Sequence, residues 1–141
     1  MRIVLIGPGP VCGHRVANRP GPPTKSRTAE NTAQYAAAAK SLALEIGVAY
    51  VDLWRGFLGE IGWVEGDERV IGSTEVPCHD GLGRLVPDGL HFSEFGNRIC
   101  YRLVLGVIRE VWPELRAENM EMKVPEWDDE NVFQILEGQG H

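Results

Sequence analysis

The sequence predicts an α/β domain whose sheet has parallel strands. Two apolar runs, residues 3–6 and 48–53, are typical of strands buried on both faces, and the second contains one polar residue, Asp52. A segment with helical periodicity lies between them. A strand, a helix and a second strand form a βαβ unit, so we expect parallel strands joined by a right-handed crossover.

The first strand ends at a turn of alternating glycine and proline, residues 7–10. Residues 11–25 are rich in proline, glycine and charge, and this composition predicts a loop. The next helix begins near Thr28, a suitable N-cap, with Glu30 in its first turn, where a negative charge is favourable. Gly47 is suited to end this helix. Its predicted buried face is a stripe of four residues, Tyr35, Ala39, Leu42 and Ile46.

The second half of the chain contains one strongly amphipathic helix. Residues 53–61 predict a short helix, and residues 62–87, rich in glycine and poor in periodicity, predict a long surface loop. Ser93 is a natural N-cap for the helix that follows, and Pro113 stops it. The apolar stripe of that helix comprises Ile99, Cys100, Leu103, Val104, Val107, Ile108 and Val111.

Composition bounds the function classes. The chain has 141 residues, which suits one domain, and its net charge of −6 argues against nucleic-acid binding, which requires a positive surface. No apolar run approaches the ~20 residues of a membrane span, and no signal-peptide core follows Met1. The cysteines are odd in number and widely spaced, which argues against a disulfide framework and predicts a cytoplasmic protein. We expect no cofactor and no metal.

One short segment, Asp88-Gly89-Leu90-His91, has the residues of a catalytic base and its orienting acid. A serine hydroxyl needs a base to take its proton, and an imidazole of ordinary pKa near 6.5 is neutral at pH 7. A carboxylate on the other ring nitrogen fixes the tautomer and stabilises the imidazolium that forms. Gly89 allows the turn that would bring Asp88 to His91. The alternative is a purely structural hydrogen bond between a turn Asp and a helix-start His.

The motif and its flanks resemble the SGNH/GDSL hydrolases, most closely the fungal isoamyl-acetate-hydrolysing esterase branch. The resemblance implies a flavodoxin-like α/β/α fold, a short-chain acyl-ester substrate and an acyl-serine mechanism in which Asp88 is the acid and His91 the base. It also implies that Pro8 and Pro10 lie near the substrate, although a rigid exit from the first strand explains them equally well. The segments that carry the resemblance are residues 4–11, 51–54, 88–93, 96–97, 112–115 and 125–129.

The same resemblance implies that the chain carries the C-terminal half of such a domain. The family's nucleophilic serine lies in a Gly-Asp-Ser block, and its oxyanion-hole glycine and asparagine lie in two further blocks; none of the three has a counterpart here. The serines present are Ser26, Ser41, Ser73 and Ser93. We expect residues 1–113 to form this half-domain, with the N-terminal strands missing, and residues 114–141 to form an acidic tail that packs on it or extends from it.

Two interpretations of function follow. In the first, the chain is a truncated carboxylic-ester hydrolase that holds only the Asp-x-x-His half of the site. In the second, it is a catalytically dead fragment that acts as a binding module, as a homodimer or with a complementing N-terminal half. The chain also contains several residues of the types that bind zinc, but their spacing matches no standard zinc-site pattern. These residues are Cys12, His14, Cys78, His79, Asp80 and His91. Asp52, at a strand end, favours a capping role.

Overall fold

The computed structural model describes residues 1–18, 27–64, 66 and 70–120. Residues 121–141, most of the predicted acidic tail, lie outside the described residues, as do Ser26 and part of the predicted loop 11–25. The described elements are, in chain order, β1 (Val4–Ile6), α1 (Gly13–Ala17), α2 (Ala29–Ile46), β2 (Ala49–Val51), α3 (Leu53–Glu60), α4 (Asp80–Leu85), α5 (Glu94–Val111) and two 3-10 turns (Pro113–Leu115 and Ala117–Asn119).

The two described strands pair in parallel, so the predicted mixed α/β fold with a parallel sheet is confirmed. Leu5 pairs with Tyr50 and Ile6 with Val51. Successive side chains of a strand point to opposite faces. The Tyr50 hydroxyl donates to the carbonyl of Ala36 in α2 at 3.0 Å, whereas Val51 packs in the core beside α5. Helices α2 and α5 therefore cover opposite faces of the sheet.

Helix α2 begins and ends as predicted, but it buries a different face. The Thr28 hydroxyl accepts from the amide of Asn31 at 3.1 Å, and Gly47 is left-handed with φ of +68°. The predicted buried stripe is wrong for the described residues, since Tyr35 is 69% and Ile46 57% exposed, as is much of Leu42. The buried residues are small and spaced by seven: Ala29, Ala36 and Ala43. Small side chains let the helix approach the strands closely, which larger residues on that face would prevent.

Helix α5 begins and ends as predicted, and its predicted apolar stripe is buried or partly buried except at its last residue, Val111, which is 46% exposed. The Ser93 hydroxyl accepts from the amide of Gly96 at 3.1 Å, and Ile99 is only 4% exposed. Leu103 reaches over α3, where a Cβ on Gly56 would come within 2.3 Å of Leu103 Cδ1. The helix ends two residues before Pro113. The core beside it is made of Val51, Leu53, Phe57, Leu85 and Ile99, with Val4, Ile61, Phe92, Cys100, Leu103, Val104 and Val107 partly buried around them.

Two predicted loops each contain a short helix. Residues 13–17 form α1 and residues 80–85 form α4, and within α4 Leu82 and Leu85 are fully or almost fully buried. The interpretation of these segments as irregular surface loops is therefore wrong in these parts. A helix of five or six residues is too short to show a repeating apolar stripe, and it depends on tertiary contacts for its stability. One such contact is the hydrogen bond from the Gly13 amide to the Gly72 carbonyl, at 2.7 Å.

No helix within the described ranges is long and apolar enough to cross a membrane.

Candidate active site

Asp88 and His91 form a hydrogen-bonded pair at the turn that precedes α5. Asp88 Oδ2 lies 2.7 Å from His91 Nδ1. The other carboxylate oxygen, Oδ1, accepts from the backbone amides of Leu90 at 3.0 Å and His91 at 2.8 Å. The carboxylate is therefore oriented by the turn itself. The side chains are 38% and 70% exposed, so the pair faces solvent in this structure.

Gly89 lets this turn sit directly on the start of α1. It is buried and has φ of +87°, a conformation that side chains other than glycine rarely adopt. A Cβ here would lie 2.6 Å from both the carbonyl oxygen of Cys12 and the amide nitrogen of Val16. The Cys12 amide also donates to the Gly89 carbonyl at 2.9 Å. The turn is therefore fixed to α1. Glycine is needed at position 89 both for the turn, as predicted, and because no Cβ would fit against α1.

The loop after β1 supports the same turn through Phe92. A Cβ on Gly9 would lie 2.5 Å from Phe92 Cζ, so the glycine gives the ring its space. The same ring also packs against Phe57, with centroids 4.6 Å apart. Pro10 is fully buried and Pro8 is half-buried. The structure thus brings the loop of residues 7–10 to the residue that follows His91, while substrate contact by Pro8 and Pro10 stays a prediction.

Arg15 is a supporting residue that the sequence did not indicate. Its Nη1 donates to the carbonyl of Pro87 at 2.8 Å, immediately before Asp88. Its guanidinium lies over Gly83, where a Cβ would come within 2.4 Å of Nη2. One arginine in a segment of irregular composition gives no indication of its distant partner.

Comparison with known proteins relates the chain to esterases. It is 31% identical over 132 residues to the isoamyl acetate-hydrolyzing esterase of Saccharomyces cerevisiae, covering 92% of this chain and 48% of that protein. The chain is therefore similar to this esterase over most of its own length. The protein of the same name in Schizosaccharomyces pombe is 36% identical over 45 residues, which are 32% of this chain and 18% of that protein. No family model matches the chain.

The family resemblance predicted from the GDSL/SGNH-type motifs is thereby confirmed. The chain spans about half the length of the Saccharomyces esterase, so the segments of that protein beyond the match have no counterpart in these 141 residues. The Asp88–His91 pair lies in the half that this esterase-related chain contains. Its hydrogen-bonding geometry is a property of this chain and does not depend on the comparison.

None of the serines that the structure describes lies in the surroundings expected of a nucleophile. Ser93 caps α5, as predicted. Ser73 is 4% exposed, and its hydroxyl accepts from the amide of Glu75 at 3.1 Å. Ser41 is exposed on α2. Asp52 caps α3 by accepting from the amide of Arg55 at 3.0 Å, which confirms the capping role.

The residues that invited a zinc interpretation are not gathered into one site. Across the described ranges, no group of three or more His, Cys, Asp or Glu side chains could hold a metal ion. The structure does bring two of them together, since Cys12 Sγ and Cys78 Sγ are 3.8 Å apart. His14 instead contacts the Val76 carbonyl through Nε2 at 2.7 Å.

Proposed function

We propose that this chain carries the base half of a Ser-His-Asp carboxylic-ester hydrolase. His91 is the general base, Asp88 orients it, and the nucleophilic serine comes from polypeptide outside these 141 residues. The observation that carries the proposal is the 2.7 Å contact between Asp88 Oδ2 and His91 Nδ1. The relationship to isoamyl acetate-hydrolyzing esterases supports the class of reaction.

The geometry suits proton transfer from a serine. With Nδ1–H donating to Asp88 Oδ2, the lone pair of the neutral ring lies on Nε2, which is the atom that accepts the serine proton. As the serine oxygen attacks the ester carbonyl, the ring becomes an imidazolium beside the Asp88 carboxylate. The ring then returns the proton to the alcohol that leaves. A water molecule, activated by the same nitrogen, releases the acid from the acyl-serine.

The exposure of the pair accords with a site completed by another segment. His91 is 70% exposed at its side chain, so Nε2 can be approached from solvent. A catalytic base shielded from water acts in a low-dielectric environment, where the carboxylate stabilises the imidazolium more strongly than it does in water. The segment that supplies the serine would also provide this shielding and the oxyanion-hole donors.

The substrate class we propose is short-chain acyl esters. The names of the two relatives specify isoamyl acetate, a small ester with an apolar alcohol. Phe92, which follows His91, and the loop of residues 7–10, whose Gly9 lies against the Phe92 ring, are apolar neighbours suited to such a group. We propose that Pro8 lies in one wall of the substrate site and that the buried Pro10 supports the loop behind it.

Asp88→Asn tests the role of the pair in the complete natural protein. The amide oxygen can still accept from the two backbone amides, so the turn is kept. The amide nitrogen replaces Oδ2 and donates to Nδ1, which leaves the proton on the wrong ring nitrogen. We expect turnover of isoamyl acetate to fall by about 10⁴-fold. Asp80→Asn is the matched control, since Asp80 lies in the first turn of α4 and is exposed, and its turnover should stay near that of the wild type.

A fluorophosphonate probe tests where the serine lies. We expect no labelling of the purified 141-residue chain, and labelling of the complete natural protein on a serine outside residues 1–141. Labelling of Ser26, Ser41, Ser73 or Ser93 would contradict the second part of the proposal. Equal turnover by Asp88→Asn and wild type would contradict the first part.

A second candidate function, a protein-binding module, is favoured by one observation. Apolar side chains along one face of α2 are exposed, namely Tyr35, Leu42 and Ile46. An apolar surface of this kind is typical of an interface. We propose that this surface binds either a second copy or the segment that supplies the serine. Light scattering after size-exclusion chromatography tests the first option, and a monomer at micromolar concentration would contradict it.

A further inference from the structure

We infer that Cys12 and Cys78 form a reversible disulfide by exchange with a small-molecule disulfide such as glutathione disulfide. The two sulfur atoms are 3.8 Å apart although the residues are 66 positions apart in the chain. This site is separate from the Asp88–His91 pair, and the inference stands whether or not the chain takes part in ester hydrolysis.

Two backbone-anchored contacts hold the segments that carry these cysteines beside each other. The Gly13 amide donates to the Gly72 carbonyl at 2.7 Å, and His14 Nε2 lies 2.7 Å from the Val76 carbonyl. Both contacts join the start of α1 to the segment that precedes α4. Bond formation needs the sulfur atoms to close to about 2 Å, a movement that side-chain rotation and a small backbone shift can provide.

The two thiols differ in access, which gives the exchange an order. Cys78 is exposed and meets the oxidant first, whereas Cys12 is fully buried. Burial raises the pKa of the Cys12 thiol, and the adjacent Cys78 raises it further, although a backbone hydrogen bond from Arg15 opposes this. A thiol with a raised pKa is a poor first nucleophile in water, but it is well placed to attack a neighbouring mixed disulfide.

The exchange balances without another redox partner. The Cys78 thiolate attacks one sulfur of glutathione disulfide, which forms a mixed disulfide and releases one glutathione thiolate. Cys12 then loses its proton, and its sulfur attacks the Cys78 sulfur, releasing the second glutathione. Two protein thiols are oxidised and one small-molecule disulfide is reduced to two thiols. An excess of reduced glutathione reverses both steps.

The bond would join the support of the Asp88–His91 turn to a distant segment. Cys12 is the residue whose amide and carbonyl meet Gly89. A disulfide to Cys78 would therefore restrain the backbone on which this turn sits. The restraint on the turn does not depend on the proposed function. Only an effect of the disulfide on ester hydrolysis would depend on it.

The third cysteine provides an internal control. Cys100 lies on α5 and is half-buried in the core beside that helix. In an unfolded chain the shorter loop closes more readily, so Cys78 would pair with Cys100 roughly fivefold more often than with Cys12. The folded and unfolded chains therefore predict different disulfides.

The experiment equilibrates the full 141-residue chain with oxidised and reduced glutathione, with and without guanidinium, and identifies the pairs by mass spectrometry. Trypsin cleavage places the three cysteines on separate peptides, residues 3–15, 70–84 and 99–102. Without denaturant we expect the Cys12–Cys78 pair almost alone, and in denaturant we expect the Cys78–Cys100 pair to dominate. Predominance of Cys78–Cys100, or of glutathione adducts, in the absence of denaturant would overturn the inference.

Single substitutions check the order of the two steps. Cys100→Ser should leave the Cys12–Cys78 disulfide unchanged. Cys12→Ser should stop the reaction at a glutathione adduct on Cys78, whereas Cys78→Ser should leave the buried Cys12 largely unmodified. Faster glutathione modification of Cys12 than of Cys78 would contradict the order proposed from their exposure.

Discussion

Helices α2 and α5 are the same length, 18 residues, and begin with the same kind of cap, yet they contribute unequally to the core. Helix α5 inserts Ile99 among Val51, Phe57 and Leu85. Helix α2 buries alanines and leaves Tyr35, Leu42, Leu44 and Ile46 exposed. Local signals thus fix where a helix starts and ends, while its stability in the fold depends on what its apolar face meets.

The difference places the candidate site on the well-packed side of the molecule. The turn that holds Asp88 and His91 leads into α5, and Phe92, the residue after His91, packs against Phe57 in the core. Rigid support of this kind keeps a base and its orienting carboxylate at hydrogen-bonding distance. The loosely packed side is distant in sequence from the site and carries the apolar surface proposed for binding.

The largest expected difference between the two helices is seen by truncating one isoleucine on each. Ile99→Ala removes a side chain that is 4% exposed, and we expect it to lower the free energy of unfolding by about 2–5 kcal/mol. Ile46→Ala removes one that is 57% exposed, and we expect a loss below about 0.5 kcal/mol. Urea denaturation followed by circular dichroism measures both. A loss for Ile46→Ala as large as that for Ile99→Ala would show that another surface covers α2.

The second comparison removes the two caps. Ser93→Ala and Thr28→Ala each delete one hydroxyl that accepts a backbone amide at 3.1 Å. We expect each to cost about 1 kcal/mol of unfolding free energy, because capping is local and independent of the core. The same denaturation curves measure the two values. If Thr28→Ala had no effect while Ser93→Ala did, the first turn of α2 would be frayed in solution.

The third comparison uses one glycine from each helix. Gly47 ends α2 with φ of +68°, so Gly47→Ala should destabilise the protein by about 1 kcal/mol. Gly106 lies within α5, where an added Cβ meets nothing within 4 Å, so Gly106→Ala should stabilise it by about 0.5–1 kcal/mol. Thermal denaturation should give shifts of opposite sign. Shifts of the same sign would contradict either the left-handed end of α2 or the open space beside α5.

The sequence was sufficient where the determinant is local. Thr28, Ser93 and Asp52 were predicted as caps, and each accepts the backbone hydrogen bond expected of it. The parallel pairing of the strands also followed from the apolar runs and the helix between them. Asp88 and His91 are three positions apart in one turn, so the motif alone predicted that the two side chains could meet.

The sequence was insufficient where the determinant is a distant partner. The orientation of α2 depends on which face can approach the strands, and the apolar stripe through Tyr35 and Ile46 indicated the wrong one. Helix α1 owes its place to contacts with Gly72 and Gly89, which are far away in the chain. A pattern within one short segment contains no information about such contacts.

The smallest expected effect is a difference in how the stability contributed by the first turn of each helix depends on pH. Glu30 in α2 has its pKa lowered from 4.5, mainly by a hydrogen bond from the Ser73 hydroxyl. A carboxyl whose pKa is lower in the folded than in the unfolded protein contributes stability above the unfolded pKa, and loses it as pH falls through the folded pKa. Glu30→Gln should therefore be less stable than wild type at pH 6, and the difference should shrink as the pH falls below about 4.5.

Glu94→Gln in α5 is the matched control for this effect. Glu94 contacts Arg98 in an exposed ion pair at 2.5 Å, which contributes at most about 0.5 kcal/mol and is screened by salt. Urea titrations at pH 6 and pH 3.5, each at low and high salt, separate the two glutamates. The Glu30 effect should persist at high salt because its main partner is a neutral hydroxyl, while the Glu94 effect should disappear. Loss of both effects at high salt would mean that the hydrogen bond between Glu30 and Ser73 is not formed in solution. Helix α2 would then lack this connection to the segment that carries Cys78.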